Sequence, residues 1–189
     1  MDPEPWMRGT HGDLDPVVRA VVHALELADE DVSRWCDELD DGSMFARPGG
    51  LPPVAFHLRH IARSLDRLLT YAEIGVPLRD VDRVGRGGRR VLSDEQMVGL
   101  RTEMDAGSSA EVLREFHAGL VSAKARVCAV TPESFAEVRW IGRKRLPTTV
   151  VGLLIHCAEH TQRHIGQAVT TVKVSLAAEN FGGTLDSVA

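Results

Sequence analysis

The chain has 189 residues, of which 43% are hydrophobic and 26% are charged, and its formal net charge at pH 7 is −5. This composition is typical of a globular protein and excludes a largely disordered chain. The acidic balance offers no basic surface for nucleic acid or for an anionic membrane, so we expect neither as a partner. Aromatic residues make up only 5% while aliphatic residues are plentiful, which favours packed helices over a sheet-rich fold.

The cysteines and the first residues indicate the compartment. Cys36, Cys128 and Cys157 are odd in number and form no CxxC pair, so we expect a reducing environment rather than a disulfide framework. The segment Met1–Trp6 is acidic and interrupted by prolines, unlike a secretory signal. No run reaches the roughly 18 apolar residues that a membrane span needs. We therefore expect a cytoplasmic protein with a single domain over residues 1–189.

The first helix is predicted over residues 16–38. Asp15-Pro16 has the form of a helix N-cap followed by proline at the first helical position, and the apolar residues that follow recur on one helical face. We interpret His23, which lies on this helix, as a partly buried or surface histidine rather than a ligand. Residues 1–13, with two prolines and two glycines, are predicted to be loosely ordered.

A second helix is predicted to begin at Pro52 or Pro53 and to end between residues 71 and 73. It follows a loop rich in glycine and proline and carries His57 and His60. Residues 75–92 then form a long predicted loop. Its Arg- and Gly-rich part, residues 83–90, matches no phosphate-binding pattern, and we interpret it as solvated.

The remaining segments predict two more long helices. Ser93-Asp-Glu-Gln96 has the form of a capping box and begins a helix that extends to Met104, and Ser109 is predicted to cap a continuation over residues 110–129. A turn and a connector over residues 131–147 lead to the last helix, from Thr148 or Thr149 to Val174, and residues 175–189 are predicted to be loosely ordered. No segment has a strand pattern, so the prediction is an all-α four-helix bundle with minor extra helices.

The last helix carries His156, His160 and His164, spaced four residues apart and so on the same helical face. Imidazole is the commonest protein ligand for transition metals. The first and last of the three lie about 12 Å apart along the axis, too far for one ion with bonds of about 2 Å. Either neighbouring pair can therefore share an ion, and further ligands must come from elsewhere, with His57 and His60 as the candidates.

Three other features of this stretch have interpretations of their own. His156, Glu159 and His160 spell H-x-x-E-H, the inverted zinc-protease motif, but such proteases need a downstream carboxylate ligand and only 29 residues follow His160. We interpret Cys157 as a core residue. Gly166 is expected to allow close approach of another helix, and Gln167 is expected to be free to hydrogen-bond a ligand or an imidazole.

Two segments resemble the signature helices of the DinB/YfiT-like superfamily. They are Phe56-His-Leu-Arg-His60-Ile-Ala-Arg-Ser-Leu-Asp-Arg-Leu-Leu-Thr-Tyr71 and His156-Cys-Ala-Glu-His160-Thr-Gln-Arg-His164-Ile-Gly-Gln167. The connector Arg139-Trp-Ile-Gly-Arg-Lys-Arg-Leu-Pro-Thr-Thr-Val150 is similar to that of one subgroup. The resemblance covers roughly residues 50–170.

The resemblance implies an up-down-down-up bundle, commonly a homodimer, with a three-histidine site for zinc or nickel. Matched to the family's motifs, the ligands are His60, His160 and His164. His57, His156 and Gln167 then lie near the site, beside the ligands or on the substrate side.

Family members of known activity include transferases and isomerases that use low-molecular-weight thiols. The resemblance therefore implies a metal-dependent enzyme of the thiol S-transferase or isomerase type acting on a small molecule. The alternative is a non-catalytic metal-binding or stress-related bundle whose ion is structural or absent. No catalytic residue is assigned by the sequence.

Overall fold

The structure, a computed structural model, describes residues 3–74, 107–141 and 145–182. The helices within these ranges are α1 (Pro16–Trp35), α2 (Asp41–Phe45), α3 (Val54–Ile74), α4 (Ser109–Cys128) and α5 (Val150–Gly182). Single 3-10 turns lie at Pro5–Met7, Pro48–Gly50 and Pro132–Ser134, and two short strands are β1 (Val138–Ile141) and β2 (Leu146–Thr149).

The four long helices pack into a bundle, as predicted. Both α4 and α5 pack against α1 and α3, and the four helices share one apolar core. The largest fully buried side chains come from every long helix: Val18, Leu25, Leu58, Ile61, Leu65, Leu69, Phe116, Leu120, Leu153, Leu154 and Ile165. Among the described residues, no helix combines the length and the apolar character that crossing a membrane requires.

The helix starts follow local capping chemistry. Asp15 accepts a hydrogen bond of 2.8 Å from the backbone N–H of Val17, which confirms the predicted start of α1. The cap of α4 is Ser108 rather than the predicted Ser109. Ser108 forms a capping box with Glu111. The Ser108 hydroxyl accepts a hydrogen bond from the backbone N–H of Glu111, and the Glu111 carboxylate accepts one from the backbone N–H of Ser108.

Two helices end three or more residues from the predicted position, whereas α3 and α4 end within one residue of it. Helix α1 ends at Trp35, three residues before the predicted end at 38. Helix α5 continues past Val174 to Gly182, because the Ser175-Leu-Ala-Ala-Glu179 stretch contains good helix formers and no proline. The predicted helix between Ser93 and Met104 and the predicted loop over residues 75–92 lie outside the described residues.

The prediction that no strand is present was wrong. Strands β1 and β2 pair antiparallel, with Trp140 opposite Pro147. Four-residue strands are too short for their alternation to stand out from a connector. The buried side chain of Arg139 attaches this hairpin to the bundle, since its Nε donates to the carbonyl oxygen of Ala72 at 2.7 Å, near the end of α3.

The close helix approach expected at Gly166 is found elsewhere. A Cβ placed on Gly166 would meet nothing within 4 Å, whereas one placed on Gly119 of α4 would lie 2.8 Å from the Cβ of Ala62 on α3. Helices α3 and α4 therefore approach each other closely at Gly119, and the expectation for Gly166 was wrong.

These two glycines form a matched pair for a stability test. Gly119→Ala should lower the free energy of unfolding by about 1–3 kcal/mol, because the new methyl group overlaps Ala62. Gly166→Ala should leave it unchanged or raise it by up to about 1 kcal/mol through helix propensity. Urea unfolding followed by circular dichroism measures both. Equal effects of the two substitutions would contradict the packing described here.

Candidate metal centre

Three of the predicted site histidines converge between α3 and α5. His60, His160 and His164 each offer a ring nitrogen, and these three atoms lie within 4.8 Å of one another. The ring centroids are 5.1 Å apart for His60 and His160 and 4.6 Å apart for each of the other two pairs. The structure thus groups the three residues that the resemblance selected.

Helix spacing and core packing produce this arrangement. His160 and His164 are four residues apart on α5, so their rings lie on one face of the helix, edge to face at an interplanar angle of 68°. His60 reaches them from α3, which packs directly against α5. The ring of Phe56, one turn before His60, stacks on the His60 imidazole at a centroid distance of 5.4 Å and an interplanar angle of 16°. The aromatic ring thereby forms an apolar wall of the site.

One nitrogen of this group is buried without a partner. Nε2 of His160 has no hydrogen-bond partner among the described residues, although it is inaccessible to solvent. Buried polar atoms are nearly always paired, and an unpaired one indicates a missing ion, water or functional role. A metal ion bound to this nitrogen would supply the missing partner, so the residues present fit a divalent transition metal.

His57, His160 and His164 have lowered pKa values, which favour the neutral form that metal binding requires. Burial, followed by the neighbouring His164 and His60, lowers the pKa of His57 to about 4. Burial and then the surrounding imidazoles lower the pKa of His160 to about 4 as well. The pKa of His164 is also lowered, first by burial and then by His60 and Arg163. At neutral pH these three rings are therefore uncharged and carry free lone pairs.

His57 lies beside the three-histidine group and contacts one member of it. Its Nδ1 is 3.0 Å from Nδ1 of His164, and its side chain is buried. Two neutral rings joined in this way share one proton, so one donates and the other accepts. If His164 donates, its lone pair is on Nε2, the form in which a ring binds a metal while its other nitrogen is held in place.

His156 and Glu159 are not among the three converging ligands, although the ring of His156 is 5.5 Å from that of His160. The side chain of His156 is 43% exposed, and its Nδ1 is 3.7 Å from a carboxylate oxygen of Glu159. Glu159 also pairs with Arg163 at the surface. The structure does not bring Glu159 together with the three histidines, so the inverted-protease interpretation gains no support from it.

Cys157 is a core residue, as predicted. Its side chain is fully buried, and burial raises its thiol pKa to about 12. A thiol with this pKa is protonated at neutral pH and is a poor nucleophile. All three cysteines are free.

A cleft of about 290 Å³ opens beside the histidine group, on the side of His57. Its lining residues are Leu51, Pro52, His57, Arg163, Gly166, Gln167, Thr170 and Thr171. Gln167 thus lies where a ligand could reach it. The sequence reasoning missed Arg163 and Thr170, although Arg163, Gln167 and Thr170 recur at helical spacing next to His160 and His164 and could have been found by that spacing.

The lowered pKa values predict how stability depends on pH in the metal-free protein. Unfolded histidines take up protons below about pH 6.5, whereas folded His57 and His160 resist protonation down to about pH 4. Their contribution to stability is therefore complete above pH 6.5 and is lost as the pH falls towards 4. Urea unfolding of the protein in chelator should show a shallower loss over this range for His57→Gln/His160→Gln than for wild type. Identical pH profiles would contradict this assignment.

Comparisons with known proteins agree with this fold. The structure is similar to the crystal structure of a conserved protein from Enterococcus faecalis, with a TM-score of 0.64 and 15% sequence identity. The similarity covers 85% of this chain and 98% of that one. At this identity the likeness concerns the fold alone. No curated protein matches the chain significantly.

The sequence also matches a known family directly. The profile of the DinB superfamily aligns with residues 24–168, a range that contains α3, α4 and the part of α5 that carries the histidines. This range is more than half of the chain, and the helical bundle is the fold that the family implies. The chain therefore belongs to the DinB superfamily.

Proposed function

We propose that His60, His160 and His164 hold a divalent metal ion, zinc or nickel, in a site that keeps one coordination position open. The observation that carries this proposal is the convergence of one ring nitrogen from each of three histidines on two helices, together with the buried, unpaired Nε2 of His160. Three protein ligands with a free fourth position are typical of catalytic rather than structural zinc sites.

The dimensions of the group support an ion of this kind. Bonds of about 2 Å in a tetrahedral site put the ligand nitrogens roughly 3–3.5 Å apart. The three nitrogens here lie within 4.8 Å of one another, so small rotations of the rings would complete the site. Because burial keeps His160 and His164 neutral, no proton has to be removed from them first at neutral pH.

The chemistry we propose is thiol transfer or isomerisation on a small molecule, with a low-molecular-weight thiol as co-substrate. A bound divalent ion would lower the pKa of a thiol or water in the open position. Around it, His57 would orient His164 through their 3.0 Å contact. Arg163 and Gln167 in the adjoining cleft would bind polar or anionic groups of the substrate. The reaction class comes from the family resemblance, and the cleft beside the histidines is consistent with it.

A homodimer is part of the same proposal. The hairpin and the start of α5 expose several large apolar side chains, with Val138 at 52%, Leu146 at 54% and Ile155 at 55% exposure. Exposed apolar groups of this kind are common at protein interfaces.

Metal analysis tests the site. Wild-type protein loaded with zinc or nickel and then dialysed should retain at least one equivalent, and His160→Ala should retain one equivalent less because it removes one of the three ligands. His156→Ala is the matched control, since His156 lies on the same helix but outside the group. It should retain as much metal as wild type. Equal metal content in wild type and His160→Ala would overturn the site.

The loaded proteins also test the activity. A panel of low-molecular-weight thiols with electrophilic acceptors should give turnover for wild type, and a loss of at least about 100-fold for His160→Ala, the scale on which an activated nucleophile matters. Stoichiometric metal without turnover on any thiol would reject the transferase proposal and leave the non-catalytic bundle.

A further inference from the structure

A second group of potential ligands lies on α1 and on the segment that precedes it. His11, His23 and Glu26 each offer a ligand atom, and these atoms lie within 4.8 Å of one another. Nε2 of His11 is 2.7 Å from a carboxylate oxygen of Glu26, and the rings of His11 and His23 are 5.7 Å apart. None of these residues belongs to the three-histidine group between α3 and α5.

Helix spacing and a fixed loop bring the three residues together. His23 and Glu26 are three residues apart on α1 and so project from similar directions. His11 comes from the preceding segment and has a φ of +60°, a left-handed conformation that few residues other than glycine adopt. The surrounding structure therefore holds His11 in a backbone conformation that is intrinsically unfavourable. Such conformations are frequent at ligand-binding sites.

Contacts on both sides of His11 hold this segment against α1. Arg8 donates to a carboxylate oxygen of Glu30 at 2.9 Å, and the N–H of Leu14 donates to the carbonyl of His11 at 3.1 Å. Thr10, the residue before His11, places its hydroxyl 3.2 Å from Nε2 of His23. The ligand atoms are thus brought together by tertiary contacts before any ion binds.

The surroundings resemble those of a site with an open position. His23 is buried at 8% exposure, whereas the side chains of His11 and Glu26 are 34% and 24% exposed, so solvent reaches the group from one side. A cleft of about 660 Å³ borders His23 and is also lined by Trp6, Thr10 and Arg19. Of the three residues, His23 alone lines this cleft.

We propose that His11, His23 and Glu26 form a second divalent-metal site, one that binds Zn²⁺ and leaves one coordination position for water. Two imidazoles and one carboxylate are a ligand set of zinc sites that keep an exchangeable fourth ligand. The carboxylate of Glu26 offsets one of the two charges of the ion. The contact between His11 and Glu26 could by itself be an ordinary hydrogen bond. The presence of His23 as a third potential ligand is what points to a metal ion.

This site is independent of the proposed function of the other one. His11 and His23 both precede residues 24–168, the range that matches the DinB superfamily, so the family match says nothing about them. The two sites share no ligand and can be removed separately.

Zinc stoichiometry separates the two sites. Metal-free protein titrated with Zn²⁺ and measured by equilibrium dialysis should bind two equivalents. His11→Ala and Glu26→Gln should each bind one, as should His160→Ala, and the double variant His11→Ala/His160→Ala should bind none at the concentration that fills wild type. His11 and Glu26 are partly exposed, so these substitutions avoid the core. Thermal unfolding of the metal-free variants checks that they remain folded.

His117→Ala is the matched control for this experiment. His117 also contacts a carboxylate, that of Asp29 at 2.7 Å, but it belongs to neither three-ligand group. It should leave two equivalents bound. Wild-type stoichiometry in both His11→Ala and Glu26→Gln would overturn the second site. If His11→Ala and Glu26→Gln each bound one equivalent while His160→Ala still bound two, the three-histidine proposal would fail and the second site would stand.

Discussion

The packing of α3 against α5 is the constraint on which the candidate metal centre depends. Leu58 and Ile61 on α3 and Leu154 on α5 are fully buried in the shared core. Each such side chain contributes about 1.5–3 kcal/mol through burial. This energy fixes the distance and rotation of the two helices, and His60, His160 and His164 lie where the same helices face each other. The apolar contacts therefore set the geometry, and the imidazoles add the chemistry.

The same burial decides the charge of the site. Removing His57, His160 and His164 from water makes their protonated forms unfavourable, and their close approach to other imidazoles adds to this effect. Without a cation, Nε2 of His160 stays buried and unpaired, which costs free energy. A divalent ion would pair with this nitrogen and would bind rings that are already neutral, so the geometry and the electrostatics lead to the same proposal.

The long helices could be predicted from the sequence because their starts and their buried faces depend on residues close together in the chain. Asp15-Pro16 specifies its own helix start, and the spacing of His160 and His164 fixes their common face on any helix. Helical rise alone could not choose between the pairs His156/His160 and His160/His164. That choice, and the choice of His60 as the third ligand, came from the family resemblance. The hairpin around Trp140 was missed because four-residue strands gain their stability from pairing and from the contact of Arg139 with α3.

Other features could not be predicted because they depend on contacts between distant segments. Gly119 and Ala62 come together only when α3 and α4 pack. The neighbours of His23 include His11, which lies in a segment without hydrophobic periodicity, and no local pattern connects the two. The same holds for the contact between His57 and His164, whose residues are 107 positions apart in the chain.

X-ray absorption spectroscopy of the zinc-loaded His11→Ala variant tests the central claim most directly, because this variant keeps the three-histidine group and removes the second site. The account predicts a first shell of three imidazole nitrogens and one oxygen from water at about 2.0–2.1 Å. Addition of a thiol should replace that oxygen with sulfur at about 2.3 Å. A shell with fewer than three imidazoles, or one that already contains sulfur before thiol is added, would contradict it.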